Sequence, residues 1–154
     1  MKKPNRFINK VFLHCSASDL PEHDNIQTIT KWHFQRGFSE IGYHFIITKD
    51  GTIHTGRNIE LIPAAQAGHN TNSIAICVTG LTTFSQTQFD SLRKLCGEIN
   101  NLYENITFHG HCEVSNKTCP VFDYHKVLNL QNSKIPKQKG NIQTLFNNIL
   151  EILM

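Results

Sequence analysis

The sequence predicts an α/β fold built around one sheet in a single domain, and three observations predict it. A length of 154 residues with 39% hydrophobic content fits one domain with a substantial core. Short apolar runs over 11–14, 43–48, 73–79 and 106–109 have the length of strands. Between them lie two stretches with apolar residues at helical spacing, so strands and helices interleave around the sheet.

The elements follow in order. Val11, Phe12 and Leu13 leading to His14 read as a buried strand. Asp24 stands where an N-cap belongs, ahead of a helix through Ile26, Ile29, Trp32 and His33 that stops at Gly37. Residues 43–48 form a second strand, which Lys49-Asp50-Gly51-Thr52 turns into Ile53-His54-Thr55. Residues 56–72 lack periodicity and read as a long loop of the kind that borders a cleft. A third apolar strand over 73–79 precedes Ser85 and Gln88, a capping-box pair. The helix that follows carries Phe89, Leu92, Cys96, Ile99 and Tyr103 on the face toward the sheet. A strand over 106–109 then feeds a loop over 111–119, and residues 123–128 form a short helix.

This domain is expected to span residues 1–130. Residues 131–154 add a polar, basic linker and then Ile142, Leu145, Phe146, Ile149, Leu150 and Leu153 at helical intervals. They are expected to form an appended C-terminal amphipathic helix, which docks on the domain or meets a membrane surface or a protein.

Fifteen Lys and Arg against 12 Asp and Glu leave a charge of +3 with no long run of one sign, too sparse for a nucleic-acid footprint. Five cysteines without a Cys-x-x-Cys pair argue against a secreted disulfide framework and fit reduced thiols in a cytosol. The basic start Met1-Lys2-Lys3-Pro4-Asn5-Arg6 lacks the apolar segment of a signal peptide, and no stretch is long enough to span a bilayer. Synthesis in the cytoplasm is expected, with delivery by another factor if the substrate lies outside.

His14, His111 and Cys119 carry the most chemistry. Two imidazoles and a thiolate leave a tetrahedral zinc one ligand short, the pattern of hydrolytic sites, whereas structural sites close with four protein ligands. Nine His and five Cys offer many other pairings, and the fold would have to bring His14 to the distant loop.

Five stretches narrow the choice: Phe12-Leu13-His14-Cys15-Ser16-Ala17, Ile41-Gly42-Tyr43-His44-Phe45-Ile46-Ile47, Asp50-Gly51-Thr52 with Gly56-Arg57, Gly68-His69-Asn70-Thr71-Asn72-Ser73-Ile74, and His111 through Cys119-Pro120. Together, and in this order, they resemble the zinc-dependent N-acetylmuramoyl-L-alanine amidases, a group that includes amidase-type phage lysozymes and peptidoglycan recognition proteins. The resemblance implies a mixed central β-sheet flanked by helices, with a zinc-containing groove on it. It implies that Zn2+ is bound by His14, His111 and Cys119, and that Tyr43 and Lys117 are the catalytic groups that do not touch the metal. The implied reaction is hydrolysis of the amide between N-acetylmuramic acid and L-alanine of the stem peptide, by a phage or prophage endolysin acting in cell lysis. Bacterial peptidoglycan is then the expected partner, with no nucleic acid, and the expected state is a monomer.

In that setting Lys117 supplies positive charge to the oxyanion, a contribution of about 10²–10³ in rate, and Tyr43 a hydrogen bond. His69 and His109 are candidates for the groove, and Asn70 and Asn72 suit a loop that contacts peptide amides. His44 is expected in the core, and His23, His33, His54 and His125 in packing or surface roles. Cys15, next to His14 on a strand, is expected on the opposite face, with Cys77 and Cys96 in the core. One departure stands out: family members often carry a His-Ala pair where this chain has Ala64-Ala65-Gln66-Ala67-Gly68. The competing reading is a closed zinc knot of His109, His111, Cys112 and Cys119 in a non-catalytic peptidoglycan- or protein-binding module.

Overall fold

A computed structural model describes residues 1–137, and the helix expected over 142–153 lies outside them. Strands β1 (Lys10–Cys15), β2 (Phe45–Ile47), β3 (Ile53–Thr55), β4 (Ser73–Val78) and β5 (Thr107–Gly110) form one sheet in the order β3-β2-β4-β1-β5. β1 runs parallel to both β4 and β5, and β2 runs parallel to β4 but antiparallel to β3. The sheet is therefore mixed, with its one antiparallel pair at an edge.

Alternation along β1 divides its side chains between two layers. Val11 and Leu13 pack with Leu92, Leu95, Cys96 and Ile99 of helix α2 (Gln86–Leu102) in the larger core. On the other face, Ile29 of helix α1 (Ile26–Gln35) packs with Ile41, Ile46 and Cys77 in a smaller one. Helix α2 begins with the expected capping box: the Gln88 N–H donates to Ser85 Oγ at 3.0 Å and the Ser85 N–H to Gln88 Oε1 at 2.9 Å. A last short helix, α3 (Tyr124–Val127), is capped by Asp123.

One local expectation needs correction. The cap of α1 is Asn25, whose Oδ1 accepts from the Thr28 N–H at 2.7 Å. Asp24 serves a longer-range role, taking the Lys49 N–H at 3.0 Å and the Thr79 hydroxyl, so it ties α1 to the ends of β2 and β4. A carboxylate offered charge-assisted partners across the fold leaves local capping to the next polar residue. Strand β5 ends at Gly110, close to the expected end of that strand. His111 opens a 3₁₀ turn, so His109 and His111 do not share a strand face.

After α3 the chain returns to β5. Gln131 and Lys134 form a bridge, and the Ser133 carbonyl accepts from the Phe108 N–H at 2.7 Å. This return satisfies backbone on the outer side of an edge strand. Among the described residues no helix is long and apolar enough to cross a membrane.

The β2–β3 turn is held by Asp50, whose carboxylate accepts from the Thr52 N–H at 2.9 Å and from the Thr48 and Thr52 hydroxyls at 2.8 and 2.9 Å. These donors, the Thr52 backbone first, lower Asp50 from its ordinary 3.8 to about 2. A depressed carboxylate stabilises the fold above its unfolded pKa, and that share is lost as pH falls through the folded value. Asp50→Asn is accordingly expected to lower the melting temperature at pH 7 and to weaken its fall between pH 4 and 2; an unchanged acid profile would remove Asp50 from the turn's support.

Candidate active site

His14 lies near the C-terminal end of β1, opposite Cys77 of β4, and is 1% exposed. Because β5 runs parallel beside β1, the loop that leaves β5 emerges at the end of the sheet where His14 sits. That loop folds back onto β1. The Cys15 N–H donates to Cys119 Sγ at 3.2 Å, and the Cys112 N–H donates to the Cys119 carbonyl at 2.7 Å. Cys119 Sγ thereby comes 3.8 Å from His14 Nδ1, and the rings of His14 and His111 are 4.5 Å apart between centroids. One ligand atom from each of His14, His111 and Cys119 lies within 4.8 Å of the others.

The electrostatics suit a cation. Burial first, and then the neighbouring His111, lowers His14 to about 3. Burial and Lys117 also lower His111. Both imidazoles are thus neutral, the form with a lone pair to give. The Cys119 thiol is pushed up by its hydrogen bond with the Cys15 thiol and by burial, so a thiolate there needs positive charge beside it. Zinc bonds of about 2.0 Å to nitrogen and 2.3 Å to sulfur, at a tetrahedral angle, set donor atoms about 3.6 Å apart, close to the spacing found here. Two nitrogens and one sulfur on one side, with a cavity on the other, fit an open zinc site.

The cavity has a volume of about 200 Å³ and is lined by His14, Cys15, Tyr43, His111, Lys117 and Cys119 together with Ile29, Trp32, His33 and Arg36 of α1 and its C-cap. A second recess of about 360 Å³ shares Arg36, Ala64, Ala65, His111 and Lys117 with it, so the two form one groove. The Tyr43 ring stands 5.1 Å from His14 and 5.1 Å from His33. Burial raises its phenol well above the ordinary range, which leaves it a hydrogen-bond donor.

The remaining candidates do not line the cavity at the three donors. The rings of His69 and His109 flank Phe12 at 6.3 and 5.5 Å. His109 is engaged by Glu113 at 2.6 Å and Thr107 at 2.7 Å. Asn72 and His69 line a separate small recess. Asn70 lines the second recess, while its Oδ1 accepts from the Ala65 and Gln66 N–H groups at 3.1 and 3.0 Å. Among the described residues the His14, His111 and Cys119 set is the one group of three that could hold an ion, so the knot through His109 and Cys112 is not assembled.

Sequence reasoning misplaced or missed several groups. Cys15 meets Cys119 because the 111–119 loop crosses the end of β1, where strand alternation no longer decides a residue's surroundings. His33 is buried, and its Nδ1 accepts from the Gly42 N–H at 2.8 Å beneath Tyr43. Ile29, Trp32, His33 and Arg36 follow the i, i+3, i+4, i+7 spacing of one helix face, a signal that was present in the sequence. Gln66, fully buried in the stretch that lacks the His-Ala pair, places its Oε1 2.9 Å from His14 Nε2, a contact the sequence did not indicate.

The profile of the N-acetylmuramoyl-L-alanine amidase family matches residues 4–122, and the chain belongs to this family. It is 34% identical over 129 residues to each of the endolysins of Enterobacteria phage T3 and Escherichia phage T7, covering 79% of this chain and 85% of each relative. Among solved structures it is similar to the N-acetylmuramoyl-L-alanine amidase LysC from Clostridium intestinale, with a TM-score of 0.73 and 32% identity over 82% of this chain and 89% of that one.

Gly42 sets how closely Tyr43 approaches the opposite wall: a methyl group there would run into the Ala64 carbonyl and press on the His33 ring. Gly42→Ala is expected to cost about 1–3 kcal/mol, the usual range for overpacking, read from urea unfolding. An unchanged midpoint would mean that the 64–66 wall yields without resistance.

Proposed function

We propose that the chain hydrolyses the amide between the lactyl group of N-acetylmuramic acid and the L-alanine of the stem peptide, acting on bacterial peptidoglycan as a phage or prophage endolysin. The observation that carries this is the convergence of His14, His111 and Cys119 from two ends of the chain at the floor of a groove. These three residues would hold Zn2+, which when bound supplies Lewis acidity and a water whose pKa falls from about 15.7 to about 7. The amidase family and its endolysin members support the same activity.

The chain's own groups do the rest. Ala64 and Ala65 line the groove together with α1, and this apolar lining helps confine the substrate. Lys117, held in the same loop as Cys119, sets its ammonium where the scissile carbonyl oxygen gains negative charge. Tyr43, half-buried at the cavity, keeps its proton and donates a hydrogen bond toward that oxygen. The domain over 1–130 carries these groups, and the amphipathic stretch over 142–153 acts outside the chemistry, docked on the domain or at a membrane surface or a protein. Synthesis in the cytoplasm is followed by delivery to the wall through another factor.

Purified peptidoglycan treated with the protein should release new L-alanine amino termini, and a chelator should abolish this until Zn2+ is restored. His14→Ala and Cys119→Ala should lose both zinc content and activity. New reducing sugar ends without new L-alanine termini would overturn the assignment. Lys117→Met should lower kcat by about 10²–10³ with zinc content and melting temperature unchanged; full kcat in this variant would take Lys117 out of the chemistry.

A further inference from the structure

The Ser73 hydroxyl has one proton, and it donates that proton to the Asn70 carbonyl at 2.9 Å. Toward Gln66, 2.7 Å away, Ser73 Oγ can therefore only accept, so the Gln66 atom facing it is the amide nitrogen. The other end of that amide, Oε1, then faces His14 Nε2 at 2.9 Å and is purely an acceptor. Nε2 must carry the ring proton, and the lone pair is left on Nδ1, the nitrogen 3.8 Å from Cys119 Sγ.

We propose that Gln66 is a positioning residue that fixes His14 in the Nε2–H tautomer and so turns the Nδ1 lone pair toward the ion. This rests on the reading of His14 as a zinc ligand. Both side chains are buried, with Gln66 at 0% and His14 at 1% exposure, so water does not offer a competing partner. The residue is held at two points: its backbone N–H donates to Asn70 Oδ1 at 3.0 Å, and its side-chain amide donates to Ser73, which stands in β4. In the stretch where related chains often carry a His-Ala pair, this chain supplies a buried carboxamide 52 residues from its target. Partners of this kind set the tautomer and basicity of a metal-binding histidine, and their loss commonly weakens the metal by about 10–100-fold.

The test uses the full chain labelled with 15N-histidine. Two-bond 1H–15N spectra of the metal-free wild type should show the His14 ring as the Nε2–H tautomer. Gln66→Met, which keeps the volume but removes the acceptor, should give mixed tautomers and a zinc Kd raised about 10–100-fold in competition with a chromophoric chelator. Gln66→Glu, which keeps an oxygen toward Nε2, should recover zinc affinity toward that of the wild type, a rescue that packing alone would not give. An Nδ1–H ring in the metal-free wild type overturns the proposal, as does a Gln66→Met chain with the wild-type tautomer and Kd. Should Gln66→Met fail to fold, the wild-type spectrum decides by itself. A wild type that shows the Nε2–H ring yet takes up no zinc overturns the metal reading and supports the role of Gln66 in setting the tautomer.

Discussion

Parallel pairing on both sides of β1 gathers the C-terminal ends of β1, β4 and β5 at one end of the sheet, and the site depends on that gathering. An antiparallel neighbour in place of β5 would send the 111–119 loop to the opposite end, away from His14. The same pairing buries β1 on both faces, so any polar side chain it carries must find partners inside the protein. His14 meets this demand with both ring nitrogens: Nε2 toward Gln66, and Nδ1 toward the donors of the loop. The groove and the buried imidazole are two results of one topological choice.

The loop is fixed by a different device. Its backbone has little regular structure beyond the 3₁₀ turn His111–Glu113, yet its cysteine is pinned to β1 by a backbone N–H from Cys15 across 104 positions of sequence. Lys117 is carried along by the same attachment. Gly110 begins the loop beneath the Tyr124 ring and Pro120, at a place where a side chain has no room, so α3 and the loop are packed as one unit with the end of β5. Opposite them, α1 presents Trp32, His33 and Arg36 to the cavity. The two walls thus come from segments far apart in sequence, with the sheet between them as a common reference.

How much of this was legible follows from how local each signal is. The apolar runs of β1 and β4 are unambiguous because every residue in them faces core, and Ser85 with Gln88 announces α2 through contacts three residues apart. His14, His111 and Cys119 could be singled out by donor chemistry and by the ordered stretches around them. Asp24 misled because a carboxylate beside a helix start looks like a cap whatever lies across the fold. Cys15 misled because strand alternation describes the middle of a ladder and fails where another segment crosses its end. The α1 face was visible as a periodicity, but periodicity does not say which face borders a cavity. Gln66 stood in the stretch marked by the missing His-Ala pair, but nothing within the 56–72 loop says that its partner sits on a distant strand.

The central place of β1 also ranks the parts of the molecule by how readily they open. Its amides are locked into two ladders beneath apolar layers, whereas the 111–119 loop hangs from a few single bonds. Deuterium should therefore enter the loop long before it enters β1, and an ion leaving the groove would slacken the rim while the sheet kept its shape. A protein arranged this way would keep one of its three candidate donors, His14, in place on the sheet while the two on the loop move.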